Sequence, residues 1–178
     1  MLITISGLPG SGKTTVARLV AKELELEHVY AGDIFRKQAV AAGMSLEAYS
    51  RLAETDHSID RRLDQQMRER AKRGQAVLEG RLAAFMADEA GVSALKVFLD
   101  APEPVRVARI ATREGGATEE RLRETQQRES SDARRYQKIY GYDYHETRHQ
   151  DLVLRTEGHT PEELAREIVR QARERFSK

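Results

Sequence analysis

Apolar residues recur along this chain in two rhythms. Short runs rich in leucine or β-branched residues lie at Leu2-Ile3-Thr4-Ile5-Ser6, Leu26-Glu27-His28-Val29-Tyr30, Ala76-Val77-Leu78-Glu79, Leu95-Lys96-Val97-Phe98-Leu99 and Asp151-Leu152-Val153-Leu154-Arg155. Their length and content predict five strands. Between them apolar positions fall three and four apart, the spacing of a helix face. Val16, Leu19, Val20 and Leu24 make such a face in a helix starting near Lys13. Ile59, Leu63 and Met67 make another inside a charged helical stretch from about residue 33 to 75. Val105, Ala108 and Ile110 are expected to turn inward on a helix over Pro104 to Glu114, and Leu164, Ile168, Val169 and Ala172 on the last helix.

Polar punctuation sets the boundaries. Asp33 is expected to cap the charged stretch, Met44-Ser45-Leu46-Glu47 and Thr55-Asp56-His57-Ser58 to divide it, and Gly74 to end it. Thr118 is read as the cap of a long charged helix reaching about Tyr140, with Gly115, Gly116 and Gly141 as hinges. Thr160-Pro161-Glu162-Glu163 has the form of a capping box with proline at the first helical position. Strands alternating with helices predict an α/β fold, a parallel sheet covered on both faces. Ligands of such sheets bind at the carboxyl ends of the strands. Gly7, Gly32-Asp33, Glu79-Gly80-Arg81 and Asp100 should therefore share one cleft.

Composition narrows the class. With 178 residues the chain is read as one domain, and its net charge of +1 gives no general attraction to nucleic acid or acidic membrane. It has no cysteine, hence neither disulfides nor a thiol nucleophile. No apolar run approaches the roughly 18 residues of a membrane span. A start directly in a strand, without a signal peptide, makes the cytoplasm the expected compartment. The five histidines show no metal-ligand spacing, and His145 and His149 are read as surface residues.

The chemistry starts at Gly7-Leu8-Pro9-Gly10-Ser11-Gly12-Lys13-Thr14. It fits G-x-x-x-x-G-K-[ST] between a strand and a helix, where backbone amides and the helix N-terminus cradle phosphate. Lys13 would reach the β- and γ-phosphates, and the Thr14 hydroxyl would join Mg²⁺. Glu79, ending its strand nearby, is placed to hold Mg²⁺ through water. Transfer of a phosphoryl group also calls for cations in fixed geometry, and Arg suits this because its planar fork grips phosphate. Arg36, Arg81, the pair Arg109 and Arg113, and the face shared by Arg128, Asp132 and Arg135 are the candidates. From spacing alone, the helical arginines read equally as a solvated, salt-bridged surface.

These stretches together resemble the nucleoside monophosphate kinases, in particular the short archaeal-type cytidylate kinases. The resemblance rests on Gly7 through Thr15, Ala31-Gly32-Asp33-Ile34-Phe35-Arg36, Glu79-Gly80-Arg81-Leu82-Ala83, Asp100-Ala101-Pro102, Arg109 through Arg113, and Arg128 through Tyr136. It implies a three-layer P-loop fold of the nucleoside triphosphate hydrolase type, with an acceptor-binding segment at about 33–75 and a short helical lid at about 115–141. It implies an enzyme moving the γ-phosphate of ATP to CMP and dCMP, with Mg²⁺, as a monomer, and with Lys13, Arg81, Arg128 and Arg135 as catalytic groups. By position, Gly7 to Thr15 with Arg109 and Arg113 would hold ATP. Gly32, Asp33, Arg36, Gly80, Arg81, Asp132 and Arg135 would hold the monophosphate, Asp132 at its ribose. Glu79 stands where the wider family often has Asp, and the residues reading cytosine are left unassigned. Read from the residues alone, AMP or UMP, a small alcohol such as shikimate, or a nucleic-acid-binding ATPase remain alternatives.

Overall fold

The computed structural model describes residues 1–177. Among them are five strands and eight helices: β1 (Leu2–Gly7), α1 (Lys13–Glu23), β2 (Glu27–Tyr30), α2 (Ala31–Ala41), α3 (Leu46–Thr55), α4 (Ser58–Arg73), β3 (Ala76–Glu79), α5 (Ala83–Glu89), β4 (Leu95–Asp100), α6 (Glu103–Glu114), α7 (Thr118–Tyr140), β5 (Leu152–Arg155) and α8 (Pro161–Phe176). The sheet is parallel throughout, in the order β2-β3-β1-β4-β5. Among the described residues no helix is long and apolar enough to cross a membrane.

Two apolar layers sandwich the sheet. Ile3, Ile5, Val77, Val97 and Leu99 face Val16, Val20, Ile168 and Val169 of α1 and α8. Leu2 and Leu78 face Met67, Ala71 and Met86 of α4 and α5, joined by Tyr136 and Tyr144. The central strand β1 is buried along its whole length, so its polar Thr4 and Ser6 are covered as fully as Leu2, Ile3 and Ile5. The expected α8 box is present, with Thr160 Oγ1 accepting from the Glu163 amide and the Glu163 carboxylate accepting from the Thr160 amide. Ser45 caps α3, and Gly74 stops α4 at a φ of 62°. Gly115 and Gly141 close α6 and α7 with positive φ.

Several expectations are corrected. α2 begins at Ala31, directly from β2, so Asp33 lies inside its first turn rather than capping it. Thr118 is the first residue of α7, and Ala117 occupies the cap position. Helix α5 was not expected, because only the Gly80-Arg81 turn is visible in that stretch of sequence. On α6 the inward residues are Arg106, Val107 and Ile110, while Ala108 is exposed and Val105 half-buried. On α4 the acids Asp60 and Asp64 share the buried face with Ile59 and Met67, whereas Leu63 is only partly covered.

Candidate active site

The loop after β1 is shaped by close contacts. A Cβ on Gly7 would lie 2.4 Å from the Leu99 carbonyl oxygen, and one on Gly10, whose φ is +80°, 2.4 Å from that of Arg106. Glycine at these positions lets the loop pack against β4 and α6. Gly12 delivers the chain into α1 in a left-handed conformation. Among the described residues, the first-turn amides of Lys13, Thr14 and Thr15 donate to no backbone carbonyl. Three free N–H groups at a helix N-terminus make an anion nest. The Leu8 carbonyl accepts from Lys13 Nζ at 2.7 Å, and the Pro9 carbonyl accepts from Arg106 Nη1 at 3.0 Å. Arg106, 4 % exposed, also donates to the Ala101 carbonyl and pairs with Glu129 of α7. It is a buried strut joining the loop, β4 and the long helix. The Ser11 hydroxyl is buried within the loop without a partner among the described residues.

At the foot of the loop the Thr14 hydroxyl donates to Glu79 Oε1 at 2.6 Å. The other Glu79 oxygen lies 2.8 Å from His28 Nε2. A hydroxyl beside a buried carboxylate suits a hard cation such as Mg²⁺, which keeps several waters and takes few protein ligands. Among the described residues no group of three or more His, Cys, Asp or Glu could hold a metal unaided. The donor set therefore fits a cation whose shell is completed by water and substrate phosphate.

Cations gather above the loop. Lys13 is half-buried, and its pKa is pushed down from 10.5 to about 7, first by burial and then by the positive charge of Arg81, with Arg128 and Arg106 adding to it and Glu79 opposing. The field of Arg81, ahead of burial, likewise lowers the pKa of Arg128. Lys13, Arg81 and Arg128 thus crowd one another, an arrangement that costs free energy unless an anion sits among them.

The remaining candidates divide. Arg109 reaches Thr156 through its hydroxyl at 2.7 Å and its carbonyl at 3.1 Å, with Nη1 3.9 Å from where a Gly12 Cβ would be. It flanks the loop at Gly12. Arg113, on the same helix, is exposed and pairs with neighbouring Glu114. Arg36 lies 5.0 Å over the Tyr30 ring and 3.7 Å from Asp33. Asp33 is half-exposed and also pairs with Lys37 at 3.0 Å. Gly32 and Gly80 are needed by the fold itself: a Cβ on the first would lie 2.6 Å from the Tyr30 ring, and one on the second 2.9 Å from the Ala31 methyl.

Arg135 is held by two carboxylates, with Nε 3.0 Å from Asp60 and Nη2 3.0 Å from Asp132. Asp132 lies 2.9 Å from Arg81 Nε through an oxygen at which that N–H is not aimed. An alternating row Asp60–Arg135–Asp132–Arg81 therefore runs from α4 across α7 to the end of β3. Ser131 adds a 2.7 Å bond to Glu54 of α3. The long helix is thereby docked on the 33–75 segment.

Four participants were not singled out from sequence. Arg106 looks solvated in isolation, although its place next to Val107 and one turn before Ile110 puts it on the apolar face. Asp60 is betrayed similarly by Ile59 and Met67. His28 and Tyr30 look like ordinary strand residues, and only pairing β2 with β3 brings them to Glu79.

An anion nest with cations close by suits a phosphate group; the fold is that of the P-loop kinases. Solved structures share the fold. A shikimate kinase from Acinetobacter baumannii in complex with shikimate superposes with a TM-score of 0.63 at 19% identity, covering 99% of this chain and 95% of its own. The Mycobacterium tuberculosis APS kinase CysC in complex with AMPPNP and APS gives 0.57 at 22% identity, covering 96% of each chain. The cytidylate kinase-like family model matches residues 2–158. A cytidylate kinase of Methanopyrus kandleri is 48% identical, over 88% of this chain and 84% of its own, and one of Pyrococcus horikoshii is 44% identical, over 91% and 83%. The chain belongs to the cytidylate kinase-like family.

Proposed function

We propose that the protein is a cytidylate kinase, moving the γ-phosphoryl group of ATP to CMP, with dCMP also accepted, to give ADP and CDP. The observation that carries the mechanism is the row of free first-turn amides of Lys13, Thr14 and Thr15, with the Lys13 ammonium folded back on the Leu8 carbonyl and the Thr14 hydroxyl on Glu79 beside them. In this reading the amides of Lys13, Thr14 and Thr15 hold the donor phosphates, and Arg109 flanks them. Lys13, Arg81 and Arg128 neutralise the group in transit. Arg81 and Arg36 orient the acceptor phosphate, each steadied by a carboxylate, Asp132 and Asp33 respectively. Mg²⁺, when bound at Thr14 with Glu79 behind it, supplies charge neutralisation of the donor phosphates. No side-chain nucleophile is required, because positioning and charge carry phosphoryl transfer. The docking of α7 on α3 and α4 supports the exclusion of water during transfer.

The reading is tested by ADP release with CMP, dCMP, UMP, AMP, shikimate and gluconate as acceptors. CMP is expected to lead. Turnover with shikimate or gluconate and none with CMP would defeat it.

A further inference from the structure

Glu79 is 1 % exposed, and each of its oxygens has a single side-chain partner: Thr14 on one, His28 on the other. A buried carboxylate costs free energy unless it is hydrogen-bonded, and its orientation follows its bonds. The sheet explains how the three meet. His28 stands opposite Val77, and Tyr30 opposite Glu79, which in turn stands opposite Ile5. These side chains share the face covered by α1, whose second residue is Thr14. A hydroxyl that gives its proton to Glu79 keeps its oxygen lone pairs for a cation. Glu79 therefore sets how Thr14 faces the cation, and His28 sets how Glu79 faces Thr14. Histidine fits because its Nε2 donates sideways across one strand spacing while its ring lies flat against Tyr30, with planes 8° apart and centroids 6.2 Å apart.

We propose that His28 is a positioning residue for the cation end of the site: it fixes Glu79, and through Glu79 the Thr14 hydroxyl. The proposal rests on the kinase reading above. Groups that hold a metal-site partner from behind typically contribute 10- to 100-fold to metal affinity. The contribution should fall on the cation and not on the acceptor, because Arg81 is held by Asp132, and Arg36 by Asp33 and the Tyr30 ring, of which only Tyr30 meets His28, by ring stacking and not by a hydrogen bond.

The test uses Mn²⁺ as a paramagnetic probe, titrated into the whole protein carrying AMPPNP and followed by electron paramagnetic resonance. His28→Phe keeps the flat ring on Tyr30 and removes the donor. His28→Gln places an amide N–H near the position of Nε2, while His28→Asn is too short to reach Glu79. The Mn²⁺ dissociation constant should rise about tenfold or more in His28→Phe and His28→Asn, with His28→Gln near wild type. The KM for CMP should stay within about twofold in all three, since the effect is confined to the metal side. Unchanged Mn²⁺ affinity in the Phe and Asn variants overturns the proposal, as does an equal loss in all three or a parallel loss of CMP binding. Should His28→Phe fail to fold, the contrast between Asn and Gln decides alone. Failure of the wild type to bind Mn²⁺ with AMPPNP would instead overturn the kinase reading beneath it.

Discussion

A triphosphate placed on the loop should bring a proton with it. Burial and the charges of Arg81 and Arg128 press the Lys13 ammonium down to about 7. At that value about half of the molecules lack the proton at pH 7, about nine-tenths at pH 8 and about one-tenth at pH 6. A polyanion on the first-turn amides of α1 cancels the repulsion and returns Lys13 towards its ordinary 10.5. Binding should therefore take up about half a proton at pH 7 and about 0.9 at pH 8. Calorimetry of ADP binding in buffers of different ionisation enthalpy reads this number directly. Lys13→Met serves as the reference, because protons lost or gained by the nucleotide itself drop out of the difference. Equal uptake in the two proteins, or uptake that does not change between pH 6 and 8, would refute the crowding of cations that the mechanism needs.

Three further outcomes follow from other parts of the site. Gly10→Ala puts a methyl 2.4 Å from the Arg106 carbonyl oxygen at a φ of +80°. Strain of this kind costs about 1–3 kcal/mol, so ADP affinity should fall by roughly 5- to 150-fold, and unchanged calorimetric affinity would count against the packed loop. Arg106→Met leaves Glu129 without its partner and two carbonyls without their donor. Denaturant melts should show a loss of about 3–5 kcal/mol, and a loss under about 1 would show that the strut is dispensable. Asp64, buried and accepting from the Tyr140 hydroxyl at 2.6 Å, has its pKa raised from 3.8 to about 7, first by burial. Because the folded value is the higher one, its contribution to stability is complete below about pH 4 and is lost as pH rises through 7. Asp64→Asn should thus gain on wild type in melting temperature between pH 5 and 8, and a constant difference would refute the shift.

The fold was legible where local pattern and tertiary packing agree. All five strands sit within a residue of their expected places, because each is a short apolar run bounded by turn formers. The Thr160 box, the Ser45 junction and Gly74 carry their reasons in adjacent residues. Helix α5 escaped because Ala83-Ala84-Phe85-Met86-Ala87 is apolar on nearly every side, and a five-residue apolar run followed by exposed Asp88 and Glu89 shows no helical period. Asp33 and Thr118 have the chemistry of caps, yet α2 starts directly where β2 ends, and α7 starts one residue earlier than a Thr118 cap would allow, with Ala117 in the cap position.

The site was legible at the loop and less so around it. Gly7 through Thr14, Glu79 and Arg81 stand together because the strand-end rule depends on topology alone. Arg109 and Arg113 share spacing but not surroundings, since Thr156 arrives beside the first only when the chain after β5 returns to the loop. The carboxylate row through Asp60 and Asp132 was hidden for the same reason: its members are 72 residues apart in the chain, and ion pairs across such a distance leave no periodic trace.

The most direct test follows the label itself. In a single turnover of γ-³²P-ATP with excess CMP, wild-type protein should place the label in CDP, and Arg81→Ala should do so at least about a hundredfold more slowly, the scale of a lost transition-state cation. Label released as inorganic phosphate at the same rate with or without CMP, or an Arg81→Ala variant as fast as wild type, would contradict the claim that these guanidinium groups carry a phosphoryl group between two nucleotides.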